Sequence, residues 1–77
     1  MPTVLRLLGF RFFFYSNEGT EASHIHVEKG DCEAKFWLDP VELVYSNGFT
    51  AKQINQLRKM TLDHQQLFKK AWDEYFS

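Results

Sequence analysis

Six consecutive residues, Phe10-Arg11-Phe12-Phe13-Phe14-Tyr15, limit the folds open to this chain more than any other stretch. As a strand, the run places Phe10, Phe12 and Phe14 on one face and Arg11, Phe13 and Tyr15 on the other. Both faces are largely apolar, so the strand needs neighbours on both edges and cover on both sides. A chain of 77 residues buries only roughly 60% of its unfolded surface. Its eight Phe, three Tyr and two Trp offset part of that handicap, at about 150–250 Å² buried per aromatic. One domain spanning 1–77 is expected, and self-association would help to stabilise it.

The remaining strands follow from turns and alternation. Thr3–Leu7 alternates weakly, and Leu8-Gly9 reads as a two-residue turn that sets Leu7 opposite Phe10 and Arg6 opposite Arg11. Ser16–Ser23 is a polar loop. His24–Glu28 reads as a third strand, Lys29-Gly30 as a hairpin turn, and Cys32–Leu38 as a fourth strand ended by Asp39-Pro40. Val41–Tyr45 is a fifth strand or a helical turn. Thr50 and Gln53 are spaced as a capping box, and a helical stripe runs from Ile54 to Tyr75. It forms one long helix, or two with a bend near Thr61–Asp63. The expected architecture is α+β: an antiparallel sheet of four to five strands, with the C-terminal long helix or two helices packed on one face.

Parity then assigns the faces. Leu5, Leu7, Phe10, Phe12, Phe14, Ile25, Val27, Cys32, Ala34, Phe36 and Leu38 form the core face. The opposite face carries Val4, Arg6, Arg11, Phe13, Tyr15, His24, His26, Glu28, Glu33, Lys35 and Trp37. Two histidines thus share a surface with aromatics and cations.

Three roles fit His24 and His26. As a metal pair they lack a third ligand: Cys32 falls on the core face, Glu28 lies too far along the strand, and Glu33 is expected across from His26. Only Glu18, Glu21 or Ser23 folding over from the preceding loop would help, so no metal and no cofactor are expected. As an acid–base pair they suit metal-free RNA cleavage, in which the 2′-OH is the nucleophile. Arg6, Arg11 and Lys35 would then hold phosphate, while Phe13, Tyr15 and Trp37 stack bases. Alternatively the imidazoles bond a loop carbonyl and hold the loop in place. An aromatic face of this kind also suits a dimer or partner interface.

Bulk properties exclude other classes. Nine basic and ten acidic residues argue against strong non-specific attraction to nucleic acid or membrane by the whole chain. The lone cysteine permits no internal disulfide and suits a reducing cytoplasm. No apolar run approaches the ~18 residues of a membrane span. Arg6 and Arg11 interrupt the apolar start, and no small-residue cleavage site follows it, so it reads as strand rather than signal peptide.

Taken together, FRFFFYSNE, HIHVEKG, AKFWLDPVEL, the NGF turn and LFKKAWDEYF resemble the bacterial family known as domain of unknown function 4160. The resemblance runs in order over essentially the whole chain. It implies a small single domain whose gene often neighbours that of another small protein, an arrangement like that of a toxin–antitoxin pair. No reaction comes with the name. The family pattern has prolines just before the first histidine, where this chain has Ala22-Ser23. The resemblance implies a component of such a gene pair, and the His24/His26 face, with its aromatics and cations, adds RNA as the expected target that it acts on or binds. The alternative is a non-catalytic protein-binding or dimerisation module, whose partner is the protein encoded nearby or a second copy.

Overall fold

The computed structural model describes residues 3–76. Five strands, β1 (Thr3–Leu7), β2 (Phe10–Phe13), β3 (His24–Lys29), β4 (Cys32–Leu38) and β5 (Val41–Asn47), precede two helices, α1 (Ala51–Asp63) and α2 (Gln65–Phe76). The strands form one antiparallel sheet in the order β1-β2-β3-β4-β5. This is the expected α+β fold, with five strands and two helices. Val41–Asn47 is a strand rather than a helical turn.

Local chemistry sets the turns. Leu8 and Gly9 both have positive φ, 52° and 82°, as a two-residue turn matching the strand twist requires. They pair Leu7 with Phe10 and Arg6 with Arg11 as expected. The next hairpin differs from expectation. Its turn is Gly30-Asp31, which pairs Lys29 with Cys32, Val27 with Ala34 and His26 with Lys35. Gly30 supplies the positive φ, 59°, so the turn forms one residue later than the Lys29-Gly30 reading. Every pairing slides by two, which leaves the faces unchanged. Glu33 therefore stands opposite Glu28, not His26.

The core lies between the sheet and the helices. Phe12, Ile25, Val27, Phe36 and Leu38 of the sheet meet Leu57, Phe68 and Trp72 of the helices. Most of these side chains are fully enclosed, and each such burial stabilises the fold by about 1.5–3 kcal/mol. Phe12 stacks on Phe68 with ring centroids 5.1 Å apart. Val4, expected on the opposite face, packs instead against this core. The cause is an irregularity in β1 between Thr3 and Leu5, which shifts the register there.

Thr50 caps α1 through a complete capping box with Gln53. The helices part at His64, where the backbone N–H and Nδ1 both reach the Met60 carbonyl. Gln65 Nε2 donates to the Leu38 carbonyl at 2.6 Å, fastening the junction to the end of β4. No helix among the described residues is long and apolar enough to cross a membrane.

Candidate functional site: the Glu18–His24–His26 centre

The site begins with the loop between β2 and β3. Glu18 turns back toward the sheet: its Oε1 accepts from the Tyr15 N–H at 3.1 Å, and its carbonyl accepts from the Glu21 N–H at 3.1 Å. The loop's far end is fixed by the Leu38 N–H, which donates to the Ser23 carbonyl at 3.1 Å. Glu21 Oε1 meets Lys35 Nζ at 2.9 Å. The loop therefore lies over the end of β3 and presents the Glu18 carboxylate to both histidines.

His26 Nε2 lies 3.1 Å from Glu18 Oε1 and 3.0 Å from Oε2. Its ring stacks on Phe13, with centroids 5.5 Å apart, and meets the edge of Tyr15 at 4.7 Å. On its other side, Nδ1 is 3.4 Å from the Tyr45 hydroxyl, which itself donates to Glu33 Oε2 at 2.7 Å. His24 Nδ1 is 2.9 Å from the Ala22 carbonyl. A carbonyl only accepts, so Nδ1 carries a proton and donates it. His24 thus ties down the loop, one of the roles expected from the sequence. Its Nε2 is 2.8 Å from Glu18 Oε1, yet it is buried and makes no hydrogen bond. The oxygen is near but off the line an N–H would take.

Burial alone would raise the Glu18 carboxyl. The hydrogen bonds that the carboxylate accepts from His26 and from the Tyr15 N–H outweigh it and hold the group below the usual carboxylate range. Tyr45 moves the other way: burial, then the hydrogen bond and charge of Glu33, raise it well above the ordinary phenol. Tyr15 is raised too, by burial and then by Glu33, Glu28 and Glu18, against the opposing Arg11.

The structure brings together His24, His26, Phe13, Tyr15, Lys35 and Trp37, with Arg11 alongside. Lys35 Nζ sits 4.9 Å from the centre of the Trp37 ring. Arg11 lies 4.3 Å over the Phe13 ring and pairs with Glu28 at 2.6 Å. Arg6 is exposed on β1, cross-strand from Arg11. The placement differs from an open platform in two ways. His24, His26 and Phe13 are enclosed, at 0%, 3% and 1% exposure. His24 is also not wholly remote from the helices, because its ring lies 4.7 Å from that of Trp72 on α2.

Tyr45 is the member that sequence reasoning missed. Strict alternation from the Leu38–Val41 pair would point it to the core. A register shift between Lys35 and Phe36 sets it opposite Lys35 instead.

Glu18, His24 and His26 form a group whose ligand atoms all lie within 4.8 Å of one another. Two imidazoles and a carboxylate can share a proton or hold a cation.

No curated protein and no solved structure matches the chain. One family does, over residues 9–73, a span that includes the loop, both histidines and most of α2. On that match the chain belongs to the family described as "Domain of unknown function (DUF4160)".

Proposed function

We propose that the protein is the protein-binding member of a two-gene, toxin–antitoxin-type bacterial pair, and that it engages a basic partner protein through the face around His24 and His26. The gene-pair element rests on the family resemblance. The protein partner rests on the charge of this face. With its loop, the face carries Glu18, Glu21, Glu28, Glu33 and Glu42 against Arg6, Arg11 and Lys35.

Two of those cations are already engaged, Arg11 by Glu28 and Lys35 by Glu21. Phosphates would meet an acidic surface there, whereas a basic protein surface would be complementary to it. Tyr45, Tyr15 and Trp37 are exposed or half-buried around the acidic groups, and Tyr and Trp are the residues that interfaces favour. The enclosure of both imidazoles suits a positioning role better than acid–base attack on a bound RNA.

The test is binding of the protein encoded by the neighbouring gene to the purified chain, with a mixed RNA pool and the chain alone as the other arms. Binding of the neighbour, weakened at least tenfold by Glu33→Lys with Glu42→Lys and by added salt, is the expected result. Retention of RNA with no binding of the neighbour would overturn the reading. So would a homodimer that occludes the face.

A further inference from the structure

We infer that Glu18, His24 and His26 form a binding site for one divalent transition-metal ion of the zinc type. His24 Nδ1 donates to the Ala22 carbonyl, so the neutral ring presents a bare lone pair at Nε2. Tyr45 gives its hydroxyl proton to Glu33. Its oxygen faces His26 Nδ1 at 3.4 Å and can accept from that nitrogen when a metal takes the place of the proton that His26 Nε2 now donates to Glu18. Both Nε2 atoms face the same carboxylate, at 2.8 Å from His24 and 3.0–3.1 Å from His26. The bare His24 lone pair and a carboxylate oxygen at 2.8 Å repel unless a cation lies between them.

A proton on His24 Nε2 is the simplest cation, and the geometry disfavours it. Glu18 Oε1 lies off the direction in which that N–H would point, so the buried nitrogen forms no hydrogen bond. A metal ion reverses the requirement. The ion occupies the lone-pair axis, and the carboxylate oxygen, as a second ligand, belongs off it. Tetrahedral ligands at ~2.0–2.2 Å from zinc are about 3.3 Å apart, so the two Glu18–imidazole contacts need to open by about half an ångström or less.

The surroundings match those of metal-binding histidines, whose second ring nitrogen typically donates to a carbonyl, a carboxylate or a polar group held by one. Here those partners are Ala22 and the Tyr45–Glu33 pair. Glu18 keeps 15% of its side chain exposed, which gives an ion a route in and leaves a fourth position for water. The ion would fasten the loop to β3 in place of the off-line Glu18–His24 contact. By strand parity and spacing, Cys32, Glu28 and Glu33 do not complete a metal site. The loop supplies the missing ligand as Glu18.

The test uses the tag-free, EDTA-stripped full chain. It is titrated with Zn²⁺ against a chromogenic chelator and with Co²⁺ for its ligand-field bands. One equivalent should bind at micromolar concentration or tighter, with tetrahedral-type Co²⁺ absorption and a higher melting temperature. His26→Ala and Glu18→Gln should each weaken binding at least tenfold. Glu18→Gln changes a loop residue at constant shape, so it keeps the test open if the histidine variant fails to fold. Glu21→Gln, on the same loop, should bind like wild type. Absence of binding by the wild-type chain would overturn the inference, as would equal affinity in Glu18→Gln and Glu21→Gln. The metal assay contains no partner and the partner assay runs on the stripped chain, so each reading fails separately.

Discussion

Glu18 Oε2 stands 3.0 Å from His26 Nε2, and through this contact a polar loop is held against the centre of the sheet. The same interactions hold the carboxyl of Glu18 below its ordinary range. A carboxyl whose folded pKa is depressed contributes stability that is present above its unfolded value, about 4.3. That contribution is lost as the pH falls through the folded value. Thermal melts of EDTA-stripped protein between about pH 6 and pH 3 should therefore fall more steeply for wild type than for Glu18→Gln. Parallel curves for the two proteins would count against the contact.

How this centre relates to the sequence is instructive. Alternation placed His24 and His26 on the face opposite Phe12 and Ile25, and the two-residue slide of the β3–β4 hairpin left that placement intact, because parity survives even shifts. Odd shifts are what alternation cannot see. The irregularity between Lys35 and Phe36 turned Tyr45 toward His26, and the one in β1 turned Val4 toward the core. Among the loop candidates Glu18, Glu21 and Ser23, alternation could not single out Glu18, for another reason. A loop's direction depends on its own hydrogen bonds, here those of Tyr15 and Glu21, and no periodicity encodes them. The enclosure of Phe13 under Arg11 likewise needed the cross-strand Glu28 contact.

The stacked pair Phe12 and Phe68 should dominate global stability. Replacing Phe12 by Ala costs about 3–5 kcal/mol, against roughly 4–12 kcal/mol for a chain of this length. Urea denaturation should show Phe12→Ala stripped of roughly a quarter or more of the wild-type stability. Ile25→Val, in the same core, should lose only about 0.5–1.5 kcal/mol. Similar losses for both would mean that the core is not packed as described.

Gly48 tests a closer contact. Its φ is +93°, and a Cβ built there would lie 2.8 Å from Cys32 Sγ. Gly48→Ala should therefore lose about 1–2 kcal/mol from the left-handed backbone and more from the clash. Cys32→Ala removes the sulfur but not the backbone strain. In the Cys32→Ala background the penalty of Gly48→Ala should shrink without vanishing, a coupling readable by a double-mutant cycle. Strictly additive losses would show that Sγ does not limit the turn.

Tyr45 supplies the alkaline counterpart of Glu18. Burial and its bond to Glu33 raise its pKa. A group raised in the folded state contributes stability that is fully present below its unfolded value, about 10 for tyrosine. That contribution is lost as the pH rises through the folded value. In an absorbance titration of tyrosinate, wild type should show a late step that is missing in Tyr45→Phe. Glu33→Gln should move that step to lower pH, since it removes the carboxylate that both accepts the phenol proton and repels the phenolate. The decline in melting temperature above about pH 10 should be shallower in Tyr45→Phe than in wild type. A late step that survives Tyr45→Phe would place the perturbed phenol elsewhere, with Tyr15, itself raised by burial and Glu33, as the residue to substitute next.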